Sequence, residues 1–327
     1  MARRRCWANT TPRCWGERVT AAGLDRLALG RALTRAANAS VEQILAAPDG
    51  DAPGTALRIG LTGPPGAGKS SLGGRLALLR AQRRRVGMLA IDPSSPRSGG
   101  AILGDRIRID ELEGAGDLFV RSLASRSAAD GLADNLPELL HVMEAAGFDE
   151  VLVETVGVGQ AEHAARSLVD TLVLVLNPGT GDSIQAMKAG ILELADLVVV
   201  NKADQAGAAQ LATDVRRVLA AVPPPAEAWV PPVLLTSIHD VASIHGLSAA
   251  IDRHQAWLQH SGSDRTRRTE RARYRLRSLL ERRVAETVCA WPAEALQVDF
   301  HTQVQTALAQ LAMPNLTTAA PTAGDTP

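Results

Sequence analysis

Lysine is nearly missing from this chain. Of 35 basic side chains in 327 residues, only Lys69, Lys188 and Lys202 are lysines; the others are arginines. Exposed sites tolerate either cation, so a position that keeps Lys calls for a compact ammonium rather than a planar fork. Aromatic residues are scarce at 3%, too few for the stacking platforms of single-stranded nucleic-acid binders. Excess charge is absent too: 35 acids balance 35 bases. That argues against a general binder of nucleic acid or of anionic membrane surfaces. No apolar run approaches the roughly 18 residues of a membrane span; the longest, such as Leu172–Leu176 and Leu197–Val200, are strand-sized. Three cysteines, Cys6, Cys14 and Cys289, cannot form a disulfide framework, which points to a reducing, cytoplasmic setting. Acids are missing before Glu17, while Arg3, Arg4, Arg5 and Arg13 crowd the start. Residues 1–17 therefore read as a disordered or basic tail, with an organellar transit peptide or a misplaced start as alternatives. There is no apolar stretch there to make a secretory signal.

The rest of the chain has a clear grain. Residues 18–54 read as an N-terminal helical extension, because Leu24, Leu27, Leu33, Val41, Ile44 and Leu45 recur near helical spacing. Ser40 with Gln43 three residues on suggests a capping box and hence two helices. Over 55–262 strands alternate with helices. Strands are expected at 57–63, 86–91, 150–154, 171–176, 197–200 and 233–235. Helices are expected at 69–84, 130–146, 161–168, 183–194, 206–221 and 244–260. The strands are continuous apolar runs, the pattern of a parallel sheet covered on both faces. Residues 263–312 read as a C-terminal helical region, with nine arginines between 265 and 283 and Leu276, Leu280 and Val284 one turn apart. Residues 313–327 are polar and interrupted by Pro and Gly, as in a disordered tail.

The segment Gly63-Pro64-Pro65-Gly66-Ala67-Gly68-Lys69-Ser70, with Ser71 next, fits G-x-x-x-x-G-K-[ST] between a strand and a helix. Its glycines let backbone N–H groups close around phosphate oxygens. The following helix directs its positive end at the same oxygens. Lys69 is expected to reach the β- and γ-phosphates and Ser70 to ligate Mg²⁺. Two of the three lysines thus lie in nucleotide motifs, since Asn201-Lys202-Ala203-Asp204 closes a strand downstream. The Asp204 carboxylate suits the ring N–H and exocyclic amine of guanine, a donor pair that adenine lacks. Asn201 would tie the loop together and the Lys202 stem would lie along the base. Ser237 and Ile238 follow the next strand, where GTPases place a backbone donor for the guanine carbonyl.

Asp92 and Glu154 close two strands, and carboxylates at the C-terminal ends of parallel strands face the ligand crevice. With Ser70 and Asp105 they make a candidate set of hard oxygen ligands for Mg²⁺. Lys69, Asp92 and Glu154 are the candidate catalytic residues, and the N–H of Gly157 is placed for the γ-phosphate. Val158 stands where small GTPases carry a water-directing Gln, so Glu154 or Asp92 is left to orient water. Slow intrinsic turnover is the expectation. Arg97, Arg106 and Arg108 could act as arginine fingers or belong to a solvated loop.

Three segments together resemble a known family. They are Asp92-Pro-Ser-Ser-Pro-Arg-Ser-Gly-Gly-Ala-Ile-Leu-Gly-Asp105, Glu154-Thr-Val-Gly-Val-Gly-Gln160, and Gly181-Asp182-Ser-Ile-Gln185-Ala-Met-Lys188 through Asn201-Lys-Ala-Asp204. The combination is similar to the methylmalonyl-CoA-mutase-associated GTPases, the MeaB/ArgK type, over about residues 22–260. The resemblance implies an α/β P-loop NTPase fold with a mostly parallel sheet and helices on both faces, plus N- and C-terminal helical extensions. It implies binding of GTP and GDP with Mg²⁺, and GTP hydrolysis. It also implies a chaperone that gates cofactor loading of an adenosylcobalamin-dependent acyl-CoA mutase and protects or reactivates that mutase. A homodimer formed partly through the C-terminal helices is implied, as is a switch at 178–188 that gives Asp182, Gln185 and Lys188 a role toward the mutase. Neither nucleic acid nor membrane is an expected partner. The alternatives are a metal-insertion GTPase of the same branch, which would need closely spaced soft ligands, an amino-acid-related kinase or transport ATPase, which Asp204 disfavours, and a nucleotide-binding scaffold without turnover.

Overall fold

A computed structural model describes residues 25–47, 56–93, 117–125, 132, 135–155, 160–179, 190–221 and 228–312. The basic start, residues 94–116 with Arg97, Asp105, Arg106 and Arg108, and the tail after 312 lie outside these.

Seven strands form one sheet. They are β1 (Leu57–Thr62), β2 (Val86–Pro93), β3 (Leu118–Ser125), β4 (Glu150–Glu154), β5 (Thr171–Leu176), β6 (Leu197–Val200) and β7 (Val233–Leu235). Their order is β3-β2-β4-β1-β5-β6-β7, and every pairing is parallel. Successive strand residues enter different cores. Val151 and Val153 of β4 join the cluster that holds Leu29, Leu33 and Leu139. Leu152 between them joins the cluster that holds Leu72, Leu76 and Leu247. Side chains alternate across a strand, so a strand covered on both faces reads as a nearly continuous apolar run. Each fully buried Leu, Val or Ile contributes about 1.5–3 kcal/mol.

The helices that cover these faces follow the expected pattern with shifted ends. α3 (Lys69–Ala81) follows β1, α4 (Leu136–Ala145) precedes β4, and α5 (Gln160–Leu168) precedes β5. α6 (Ile191–Leu194), α7 (Ala208–Ala220) and α8 (Val241–Ser261) complete the cover. Gly190 and Gly207, both with positive φ, set the starts of α6 and α7. Residues 180–189, which carry Asp182, Gln185, Lys188 and most of the helix expected from 183, lie outside the described residues.

One feature differs from the sequence reading. β3 is a full edge strand paired along its length with β2, in a stretch where no strand was expected. Its apolar run is broken by Arg121 and Ser122, and Arg121 has structural work. Arg121 donates to Gly30 O at 2.8 Å and to Thr34 Oγ1 at 2.8 Å. Both partners lie on α1 (Arg26–Asn38). Burial lowers the pKa of this guanidinium. The expected N-terminal helices pack into the main body. Leu29, Leu33 and Ala36 of α1 lie in the core with Leu136 and Leu140 of α4. Asn135 Nδ2 donates to Ala36 O at 2.7 Å and Ala39 O at 3.0 Å, closing the end of α1. α2 (Val41–Ala46) opens with the expected box, Ser40 and Gln43 bonding each other's backbone.

The long helix α9 (Ser263–Cys289) begins against the N-terminal edge of the sheet. Asp196, just before β6, accepts from Arg166 at 2.7 Å and 3.0 Å and from Arg267 at 3.2 Å. Arg271 pairs with Asp170, and Tyr274 is buried in the core. The chain divides into two compact units between Tyr274 and Arg275, inside this helix. The second unit comprises the rest of α9, a short 3-10 turn (Ala293–Leu296) and α10 (Phe300–Ala312). No helix among the described residues is long and apolar enough to cross a membrane.

Candidate functional site

The site lies at the C-terminal ends of the central strands, where the loop after β1 meets the turn after β6. The loop conformation is dictated by close approach. Gly63 has φ 139°, and a Cβ there would lie 2.0 Å from Val175 O. Gly68 has φ 85°, and its Cβ would lie 2.6 Å from Asn201 Nδ2. No larger residue fits either position. Between them Pro64 and Ala67 are buried while Pro65 and Gly66 are exposed. Gly68 is the N-cap of α3 and brings no side chain to its first-turn N–H groups. Those groups therefore open onto the loop, as an anion site requires.

Lys69 is 7% exposed. Its Nζ donates to Gly63 O at 2.7 Å and to Pro64 O at 3.0 Å. The ammonium is folded back onto its own loop. Ser70 Oγ donates to Glu154 Oε1 at 2.6 Å, with Ser71 half-buried beside it in the first turn of α3. Glu154 is the last residue of β4, in register with Leu61 of β1 and Ala90 of β2. Asp92 stands two positions beyond Ala90, at the second-last position of β2. The side chain of Asp92, and Asp105 and Gly157 entirely, lie outside the described residues. Of the four candidate metal ligands the structure thus joins two, Ser70 and Glu154. A hydroxyl and a carboxylate are hard oxygen donors, suited to a cation that keeps waters and shares a ligand's oxygens. Among the described residues no group of three or more His, Cys, Asp or Glu is placed to hold a metal.

The two motifs lock together although 134 positions separate them. Asn201 Nδ2 donates to Ala67 O at 2.9 Å, and Thr236 Oγ1 donates to Asn201 Oδ1 at 3.2 Å. Lys202 Nζ donates to Gly66 O at 2.8 Å. Lys202 has φ 55°, the one positive φ at a non-glycine among the described residues. A side chain in that region costs about 1 kcal/mol or more. The bond to Gly66 is what this backbone conformation reaches.

Asp204 is exposed and accepts from Ser237 Oγ at 2.6 Å. That bond is the main reason its carboxyl sits below the usual Asp range. Its own backbone N–H adds to the effect, partial desolvation opposes it, and the charges of His239 and Lys202 favour the carboxylate. Ser237 is held in turn: its N–H donates to Ser243 Oγ at 3.1 Å, and that hydroxyl donates to Asp240 O at 2.6 Å. Ile238 is half-buried in the same turn. Sequence reasoning missed Ser243. Its signal was faint, a Ser in the first turn of a helix just after an Asp N-cap.

The family model described as "Methylmalonyl Co-A mutase-associated GTPase MeaB" matches residues 29–293. A putative GTPase of Caulobacter vibrioides is 39% identical over 290 residues, covering 86% of this chain and 89% of its own. The mouse mitochondrial methylmalonic aciduria type A homolog is 44% identical over 149 residues, covering 45% of this chain and 36% of its own. A solved structure described as a LAO/AO transport system kinase superposes with TM-score 0.56 at 24% identity. It covers 88% of this chain and 98% of its own, a likeness of fold. The match spans the β1 loop, the β4 end and the turn after β6 alike. The chain therefore belongs to the MeaB family of methylmalonyl-CoA mutase-associated GTPases and is a P-loop GTPase of that type.

Proposed function

We propose that this chain is a Mg²⁺-dependent GTPase chaperone of an adenosylcobalamin-dependent acyl-CoA mutase of the methylmalonyl-CoA type. In that role it gates cofactor loading and protects or reactivates the mutase. The observation that carries the reading is the bond from Asn201 to Ala67 O, with Lys202 to Gly66 O. It makes the phosphate loop and the base-reading turn one cradle, in a chain matched over 29–293 to a family described by its association with that mutase.

In this reading Lys69 exchanges its loop carbonyls for the β- and γ-phosphate oxygens, and the first turn of α3 supplies N–H groups. Asp204 accepts the guanine N–H and amine, and the backbone at Ser237 and Ile238 meets the carbonyl. Ser70 and Glu154 would hold Mg²⁺ together with Asp92 and Asp105; when bound, the ion neutralises charge on the phosphates. Glu154 or Asp92 orients the water, and Gly157 meets the γ-phosphate. Asp182, Gln185 and Lys188 relay the nucleotide state to the mutase. In the second unit Leu276, Leu280 and Val284 are exposed one turn apart, as are Phe300, Val304 and Leu308. We assign these stripes to a homodimer contact.

The test is hydrolysis of GTP and of ATP by the purified protein with Mg²⁺, with and without an adenosylcobalamin-dependent mutase. Slow turnover of GTP alone, faster when the mutase is added, is the expected result. Equal use of ATP overturns the role of Asp204, and indifference to the mutase overturns the partner.

A second expectation concerns pH. The depressed pKa of Asp204 keeps the carboxylate ionised below the pH at which an ordinary Asp protonates. The Ser237 bond thus helps the site above that ordinary pKa, and its benefit fades as pH falls through the lowered one. Ser237→Ala raises the pKa, so the acidic limb of guanine-nucleotide binding should move to higher pH. Affinity for a fluorescent GDP analogue across the acidic range measures this; coincident limbs would contradict it.

A further inference from the structure

The two residues that meet at the mouth of the site sit on elements joined a second time at their far ends. Ser70 lies in the first turn of α3 and Glu154 ends β4. Ten positions along α3 from Ser70, about 15 Å at the helical rise, stands Arg80. Four positions back along β4 from Glu154, about 13 Å at the strand rise, stands Glu150. Arg80 Nε donates to Glu150 Oε2 at 2.5 Å, and Arg80 Nη2 to Glu150 Oε1 at 2.6 Å. Helix and strand therefore run side by side with a polar rung at each end.

The lower rung is built with unusual completeness. Arg80 is 4% exposed and Glu150 1%. All five guanidinium N–H groups are engaged. Besides the fork on Glu150, Nη1 donates to Ser248 O at 3.2 Å and Ser248 Oγ at 2.8 Å, and Nη2 to Asp252 Oδ1 at 2.8 Å. Ser248 and Asp252 belong to α8, which packs beside α3 on the same face of the sheet. Arg84 also pairs with Glu150 and Asp252.

Between the rungs the contact is apolar. Leu72, Leu76 and Ala77 pack into the core that holds Leu152. At Gly73 a Cβ would lie 2.7 Å from Leu61 Cδ1 and 3.0 Å from Met88 Cε. Apolar contact holds a helix down on a sheet but is not directional, and so fixes its position along its own axis weakly. A buried ion pair adds little net stability compared with well-packed apolar residues. Its bidentate geometry does fix position.

We infer that Arg80 and Glu150 are positioning residues for the metal-nucleotide site, setting the axial position of α3 against β4 so that Ser70 and Glu154 meet. This rests on the reading of Ser70 and Glu154 as Mg²⁺ ligands. Supporting groups behind a metal site typically alter metal affinity by about ten- to a hundredfold.

The test removes the pair as a unit, Arg80→Met with Glu150→Leu, so that no charge is left buried alone. The matched control is Arg58→Met with Glu144→Leu. That part-buried pair, at 2.9 Å, joins β1 to α4 and leaves α3 untouched. Mn²⁺ titration of the GDP complex, read by electron paramagnetic resonance, reports metal affinity without turnover. The Mg²⁺ concentration for half-maximal GTP hydrolysis is the second readout. The α3 variant should bind Mn²⁺ about tenfold more weakly and need correspondingly more Mg²⁺. The control should match the wild type in both. Arg80→Lys, which keeps the charge and loses the fork, should shift both readouts in the same direction by less. Should the double variant not fold, Arg80→Lys decides. Wild-type Mn²⁺ affinity in the α3 variant, or in Arg80→Lys when it stands alone, overturns the inference while the metal reading survives. Absence of Mn²⁺ binding to the wild-type GDP complex overturns the metal reading, and this inference with it.

Discussion

Replacing Lys69 with Met is expected to lower kcat/KM for GTP about a thousandfold, the order lost when one charge-stabilising group leaves a reacting centre. The fold should persist. Methionine matches the stem of lysine, and the loop keeps its bonds from Asn201 and Lys202. Lys69→Arg should fail almost as badly. The ammonium sits between two carbonyls at 2.7 Å and 3.0 Å, and a planar fork is too wide for that gap. In a chain that uses arginine for 32 of its 35 basic positions, this geometry is a reason for lysine to persist at position 69. Single-turnover hydrolysis of both variants at saturating Mg²⁺ is the measurement. Near-normal turnover by Lys69→Arg would remove the steric argument.

Asp204→Asn should cost guanine-nucleotide affinity on the order of a thousandfold or more, because a site built around a donor–acceptor pattern rejects its inverse strongly. The Ser237 hydroxyl favours one orientation of the new amide. Ser237 Oγ donates to Asp204 Oδ1, and asparagine keeps that bond only with its oxygen toward Ser237. Its NH₂ group then faces the crevice and meets the guanine amine donor to donor. Xanthine presents a carbonyl at that position, so the variant should prefer xanthosine triphosphate. Competition of GDP and xanthosine diphosphate for the variant checks both halves. Retained guanine preference would mean that the base is read elsewhere.

The sequence carried the sheet where the apolar pattern is unbroken. Strands β4 to β6 lie at the expected residues because burial on both faces leaves little room for polar interruption. β3 was illegible for the converse reason. Arg121 interrupts it to hold α1, a partner some 90 residues upstream that no local pattern announces. At the site, the phosphate loop and N-K-x-D were legible because their backbone geometry admits few residue types. Their mutual bonds depend on where β1 and β6 fall in the strand order, which spacing does not encode. Arg80 did leave a trace. It lies four residues after Leu76 and eight after Leu72, on the stripe of α3 that faces the core, and Glu150 opens a strand whose interior is apolar. Two opposite charges on buried faces of neighbouring elements are a pairing signal, but only once the elements are known to be neighbours.

The docking of α1 also has a consequence for biosynthesis. Its residues leave the ribosome early, yet the groups that hold it, Arg121 and Asn135, follow 91 and 99 positions after their α1 partners. At 5–20 residues per second that is on the order of ten seconds. Throughout that interval Leu29, Leu33 and Ala36 have no core to enter. The nascent chain thus leaves one apolar stripe of this 13-residue segment exposed until the sheet that receives it has been made.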